Sequence, residues 1–318
     1  MAEVYGSASF RAAVASEKVF GGTFGPLRRI SLWGFSNVLN KTVSTIVLLV
    51  ICGLFARAAD RSVQVGTVRI HISESGTGPT VVFESGMGED ASTWNDVRPA
   101  IAEFAHTVVY DRPGLGQSEP TSLPRTVVQM AVDLQSVLVA AKIAPPYVLV
   151  GHSLGGAIVQ VFAHRYPDEV AGLVLVDPED GRLIQLLHSR MTAAEWTARQ
   201  RALDEAMPNL PPIVQAELKA ANDSGDEVAR ASPLPLVPVV LLTGTKKNPE
   251  FPGNPLEQDL KLELHNTLAA NTPGAQHILV PNSRHYIQND APTSVIQAVK
   301  EVLTESVGKE VRKKKQVR

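Results

Sequence analysis

Cysteine is almost missing from this chain. The single Cys52 excludes a disulfide within the chain and any cysteine-rich metal site. An excess of charge is missing too. The 30 Lys and Arg stand against 32 Asp and Glu, so nothing invites a polyanion such as nucleic acid. The apolar run at residues 42–55 falls short of the about 20 residues that a comfortable membrane span needs. The glycine turn Gly114-Leu115-Gly116 lacks the third glycine of a dinucleotide turn. It also lacks the Lys-Ser/Thr of a phosphate loop, which excludes nucleotide binding there. A composition of 44% hydrophobic and 19% charged residues excludes wholesale disorder.

What is there begins with a leader, residues 1–58. Residues 42–55 are flanked by Lys41 and Arg57 and end in Ala56-Arg57-Ala58, a small-x-small pattern. Within it, residues 42–58 have the marks of a secretory signal. Cleavage near Ala58 would remove Cys52 and leave an exported protein, periplasmic or secreted. An uncleaved N-terminal anchor in the membrane is the other reading of the same run. The remaining residues, about 260, can bury a sizeable core without disulfides.

The chain is organised around residues 148–156, Val-Leu-Val-Gly-His-Ser-Leu-Gly-Gly. A β-branched apolar run stops at Gly151, and a helical pattern starts just past Ser153. This strand–sharp turn–helix is a nucleophile elbow, Gly-x-Ser-x-Gly. The turn strains the backbone at Ser153, so small neighbours are needed at Gly151 and Gly155. The hydroxyl is pushed out at a strand end, and the first N–H groups of the next helix aim at the same spot.

Around the elbow, strands and helices alternate. Residues 62–72 read as two short antiparallel edge strands joined near Gly66. Buried strands follow at 80–83, 107–110, 147–150, 170–176, 237–243 and 277–280. Helices are expected at 90–104, 125–142, 157–166 and 291–307. Near-continuous apolar strands between helices are the pattern of a parallel sheet covered on both faces. Residues 182–235 break that rhythm. They carry helical patterns at 195–206 and 214–221 and no strand, which reads as a helical cap insertion over the strand ends. Residues 59–308 thus form the domain, and 309–318 a solvated basic tail.

Ligands in such sheets gather at the carboxyl ends of strands. Those ends carry Met87, Asp111, Ser153 and Asp177. The glycine-flanked loop 84–88 offers the Met87 N–H as one oxyanion donor, and the Leu154 N–H is the other. Asp111 and Arg112 read as braces of their loop. A histidine just past the last strand can reach Ser153, which selects His285 as general base. His71, His106, His164, His188, His265 and His277 are worse placed. His152 is expected to face the other side of its strand. With an unperturbed histidine, hydrolysis would decline as pH falls through about 6 to 7. The acid should follow the serine in the chain and precede the histidine. The loop after the 237–243 strand holds no carboxylate before Glu250. Asp177, ending the strand beside the elbow strand, is the candidate, with Glu179 and Asp180 behind it. The same Asp could instead merely cap its turn.

From Val81 onward the chain resembles the α/β-hydrolase superfamily, in its serine esterase and lipase branch. The segments VVFESGMGEDASTW, VVYDRPGLGQSEP, PRTVVQMAVDL, YVLVGHSLGGAIVQVFAHRYPDEVAGLVLVDP and HILVPNSRHYIQNDAP carry the likeness. The resemblance implies a mostly parallel, doubly wound sheet with Ser153 as nucleophile and His285 as base. It implies Met87 and Leu154 as oxyanion hole, and no metal or organic cofactor. Asp177-Pro178 looks like the acid position of pancreatic-type lipases. Glu84-Ser85 stands where many members have histidine, which should not matter to a backbone donor. The expected reaction is cleavage of a small-molecule carboxylic ester with an apolar acyl or alcohol part. Thioester, lactone or amide cleavage, and a non-catalytic binding role, are the alternatives.

Overall fold

The computed structural model describes residues 59–316, apart from 224, 232 and 247–254. The signal-like segment 42–58 and the candidate Glu250 lie outside the described residues. No described helix is long and apolar enough to cross a membrane.

The strands are β1 (Ala59–Val65), β2 (Val68–Ser75), β3 (Thr80–Glu84), β4 (His106–Tyr110), β5 (Tyr147–His152), β6 (Val170–Val176), β7 (Val239–Gly244) and β8 (Gln276–Val280). They make one eight-stranded sheet in the order β1-β2-β4-β3-β5-β6-β7-β8. β1 and β2 pair as the expected antiparallel hairpin at the edge, and β2 also runs antiparallel to β4. Every other pairing is parallel.

The helices in chain order are α1 (Arg98–Ala102), α2 (Val127–Ala141), α3 (Leu154–Arg165), α4 (Arg182–Arg190), α5 (Ala193–Ala206), α6 (Pro212–Asp223), α7 (Gly225–Arg230), α8 (Pro255–Ala270), α9 (Ile287–Asp290) and α10 (Pro292–Gln316). They cover both faces of the sheet, and strand alternation assigns each side chain to one face. Val82, Leu149, Leu173, Leu175 and Leu241 pack with Met130, Leu134 and Leu138 of α2 and with Ile158, Val161 and Phe162 of α3. Val81, Phe83, Val148, Val150, Val174 and Val176 face the other way, onto Val295, Val299 and Val302 of α10. Both neighbours in sequence are therefore apolar, because both faces are dry. Each such buried side chain contributes about 1.5–3 kcal/mol.

The helix expected at 90–104 is split. Asp90 caps a short 3-10 turn, Ala91–Trp94, through its carboxylate and the Ser92 N–H, and a proline in the first turn opens α1. The insertion is more helical than its sequence pattern suggested, with α4 through α7 among the described residues between β6 and β7. A reciprocal Thr192–Glu195 capping box opens α5 earlier than expected. The closing helix does not end at Val307. The backbone of α10 stays helical to Gln316, so part of the expected tail is helix.

From β3 the chain goes to β4 on one side and returns to lay β5 on the other. β3 and β5 thus flank a switch point, the place where open α/β sheets form a ligand crevice at their carboxyl ends. The loop holding Met87 leaves β3 there, and the elbow leaves β5.

Candidate active site

Ser153 lies between β5 and α3 at φ 52° and ψ -120°. A non-glycine residue held in that region stores about 1–3 kcal/mol of strain. The surroundings impose it. The Ser153 N–H donates to Val176 O, and its carbonyl accepts from the Gly156 and Glu179 N–H groups, at 3.1, 2.9 and 2.8 Å. The neighbours must be small for a steric reason. A Cβ on Gly151 would sit 2.5 Å from Gly155 O, and one on Gly155 would sit 2.2 Å from Glu84 O.

His285 arrives in the loop between β8 and α9. Its Nε2 accepts from the Ser153 hydroxyl at 3.0 Å, and its Nδ1–H donates to Asp177 Oδ2 at 2.6 Å. The tautomer follows from the partners. An ionised carboxylate only accepts, so Nδ1 carries the proton and Nε2 is left as the base. The sequence candidates Ser153, His285 and Asp177 are therefore brought together in one hydrogen-bonded chain. Asp180 points elsewhere and pairs with Arg182.

Asp177 is 2% exposed and has a positive φ of 45°. Asp is one of the few residues that tolerate this conformation. Its Oδ1 accepts from the Gly244 N–H at 3.3 Å, and its Oδ2 also accepts from Lys261 Nζ at 3.0 Å. Burial alone would raise this carboxyl. The Lys261 charge and the His285 hydrogen bond outweigh it and hold Asp177 well below the usual carboxylate range. Behind it, His265 Nε2–H donates to Pro178 O at 2.9 Å and Nδ1 accepts from Thr243 Oγ1 at 2.7 Å, bracing the turn that carries the acid. Burial lowers the His265 pKa, which keeps that ring neutral as this pattern requires.

The His285 ring departs from the expectation of an ordinary histidine. Burial and then the Lys261 charge lower its pKa to about 4, against the opposing bond to Asp177. His152 also departs from expectation. It does not face away from the site but lies under the last loop, its Nε2 donating to His285 O and its Nδ1 facing Glu89 Oε2, each at 3.2 Å. It sits at the end of β5, where the returning loop crosses.

Met87 lies between two pinned glycines. Arg112 donates to Ser85 O at 2.6 Å and Gly86 O at 2.5 Å, while Gly88 N–H donates to Glu217 Oε2 at 2.9 Å. Arg112 in turn forms ion pairs with Glu84 at 2.9 Å and Glu217 at 2.8 Å. Arg112 is thus the loop brace its motif suggested. Glu84 anchors the guanidinium that holds the loop. Glu217 reaches in from α6 and had no sequence signal. Among the described residues, neither the Met87 nor the Leu154 N–H has a protein acceptor. The described residues include no group of three or more His, Cys, Asp or Glu arranged to hold a metal ion.

Glu217 is fully buried and also accepts from Arg125 at 3.1 Å. Glu217→Ala leaves two buried arginines without their shared carboxylate. The expected loss is about 3–5 kcal/mol of stability, read as a lower urea midpoint. An unchanged midpoint would show that water replaces the carboxylate at no cost.

Residues 79–263 match the family model described as the alpha/beta hydrolase fold. The chain belongs to that family. The match includes Ser153 and Asp177 and stops before β8, so His285 is supplied from beyond it. YqjL of Bacillus subtilis strain 168 is 28% identical over 226 residues, which is 71% of this α/β hydrolase and 84% of YqjL. Among solved structures, lip1 of Acinetobacter baumannii AYE superposes with a TM-score of 0.64 at 22% identity, covering 87% of this chain and all of that one. A thermophilic esterase of Thermogutta terrifontis gives 0.52 at 21% identity over 78% of this chain and 99% of the esterase. At such identities the two structures support the fold alone.

Proposed function

We propose that this α/β hydrolase is a serine hydrolase that cleaves a carboxylic ester of a small molecule through an acyl-enzyme. The observation that carries the reading is the continuous chain from Ser153 Oγ through the His285 ring to Asp177 at the strand ends. In the first half-reaction His285 Nε2 takes the hydroxyl proton as Ser153 Oγ bonds to the ester carbonyl carbon. The oxyanion accepts from the Met87 and Leu154 N–H groups, each worth about 3 kcal/mol in such a hole. His285 then passes its proton to the departing alkoxide, leaving the acyl group on Ser153. In the second half-reaction His285 deprotonates a water that attacks the same carbonyl. Collapse returns the proton to Ser153 Oγ and frees the carboxylic acid. Asp177 holds the imidazole in register and supports its transient charge.

Two apolar side chains of α6 support an apolar acyl or alcohol part of the substrate. Val214 of α6 packs against Gly88 in the Met87 loop, and Ile213 packs against Gly114 in the neighbouring turn. Val214 Cγ2 lies 2.9 Å from a Cβ built on Gly88, and Ile213 Cδ1 lies 3.4 Å from one built on Gly114. The test pairs a fluorophosphonate probe with a chain-length series of p-nitrophenyl esters. Covalent labelling of the wild type, absent in Ser153→Ala, is expected together with ester turnover. A protein that binds esters without labelling or turnover would instead be a non-catalytic member of the fold.

A further inference from the structure

The contact between Lys261 and the acid–base pair has no part in the steps above. Lys261 projects from α8, and its Nζ lies 3.0 Å from Asp177 Oδ2 and 3.2 Å from His285 Nδ1. Its side chain is 19% exposed, so most of the ammonium's surroundings are protein. The chemistry of the three groups decides who bonds to whom. Lysine only donates, and Nδ1 already carries the proton it gives to Asp177. Both donors therefore converge on one carboxylate oxygen, and the ammonium and the imidazole N–H stand side by side as like partners of it. An anion shared in this way supports an imidazolium less than an anion serving the histidine alone.

We propose that Lys261 is a positioning residue that fixes Asp177 as the acceptor for His285 Nδ1–H and opposes protonation of His285 in acid, so that hydrolysis persists well below neutral pH. This inference rests on the reading of Ser153, His285 and Asp177 as a triad and deepens it.

Among the other charged groups around His285, His152 acts in the same direction as Lys261 but ranks after it, and the rest act on the lysine or on the acid. His152 approaches from the end of β5 with ring centroids 4.7 Å apart, and it meets Glu89 on its far side. Glu89 is lowered to about 2, because the His152 charge and hydrogen bond outweigh burial, so it is ionised throughout the window that matters. Glu179, just beyond Asp177, and Glu257, near the start of α8, act on the lysine and favour its charged form. Burial raises Glu179 to about 7 against the opposing Lys261 charge, so it titrates above the acid limb of the base. His265 contacts the acid's turn and not the His285 ring. The sign is then set. The pKa of His285 is lowered to about 4, so the ring is the neutral base above that value and is lost as a base below it.

The experiment measures the second-order rate of fluorophosphonate labelling against pH, for the wild type, Lys261→Met, Lys261→Gln and Lys261→Arg. The wild type is expected to label at a constant rate from pH 8 to about 5 and to lose reactivity toward about 4. Without the ammonium, the acid limb moves up by about one pH unit or more. Lys261→Arg, which keeps the charge, returns the limb to the wild-type position. The two neutral variants serve as checks on each other, since a limb shift is read on whichever keeps its thermal transition. A wild type that labels while its Met or Gln variant shows the same limb overturns this inference alone. A wild type that labels at no pH removes the nucleophile, and this inference with it.

Discussion

Replacing Ser153 by alanine is expected to lower kcat for the proposed ester hydrolysis by about a million-fold and to leave the protein folded. The hydroxyl oxygen is the atom proposed to attack, and among the described residues its side-chain partner is His285 Nε2. Removing it leaves a neutral imidazole that is content without a proton to accept, so no buried charge is stranded. Folding is read by circular dichroism and by the urea midpoint, which should stay within about 0.5 kcal/mol of the wild type. Ser153→Gly makes a second, independent measurement at the same position. Glycine adopts a φ of 52° without steric penalty, so this inactive variant should be more stable than Ser153→Ala by about 1–3 kcal/mol. Residual turnover of Ser153→Ala at a tenth of the wild-type rate would mean that another group or a water attacks the ester. An inactive Ser153→Gly no more stable than Ser153→Ala would mean that the elbow holds no strain.

Asp177→Asn is expected to cost about 10⁴ in kcat of the proposed reaction. The change keeps the shape and reverses the hydrogen-bond polarity. An amide nitrogen placed toward Nδ1 donates where the carboxylate accepted, which drives the proton to Nε2, the atom that must take the proton from Ser153. The same change removes the anion held by Lys261, leaving an ammonium 3.2 Å from His285 with nothing between them to neutralise it. Two controls separate this from general damage. Asp180→Asn disturbs the pair with Arg182 and should change kcat less than about tenfold. Glu250→Gln should do no more. If Glu250→Gln is the damaging change and Asp177→Asn is mild, the acid comes from the loop after β7 and the contact at Asp177 is structural.

The elbow was legible because its geometry is local. The residues that demand the sharp turn, Gly151, Ser153 and Gly155, are neighbours in sequence, and the conflict that Gly151 avoids is with Gly155 in the same turn, although the one that Gly155 avoids is with Glu84 of β3. Near-continuous apolar runs made the central strands legible for the same reason, since Val148 and Val150 on one face and Leu149 on the other are all buried. His285 could be picked from the chain because topology brings the loop after the last strand to the end of β5. The helix expected at 90–104 was illegible as two pieces. Its apolar spacing survives the interruption, and only the Asp90 cap and the proline in the first turn of α1 break it.

Lys261 and Glu217 mark where local pattern stops carrying information. Lys261 is 84 residues from Asp177, and Glu217 is 105 residues from Arg112. Each lies on a helix with ordinary charged residues, and nothing in helical periodicity says which of them will end beside a buried partner. Their contacts depend on where a whole helix is set against the sheet, which sums many weak apolar contacts over the chain.

By itself the sequence determined a parallel sheet covered on both faces, the strained serine at the end of its central strand, and the loops able to bring a base and oxyanion donors to it. Only the tertiary structure decided that Asp177 meets His285, that a cap glutamate holds the loop of Met87, and that a lysine shares the acid. The physical reason is range. Turn sterics and strand alternation act over a few residues and are written in order along the chain. A buried charge is satisfied by whichever partner the packed helices deliver, and that is settled only when the whole fold is assembled.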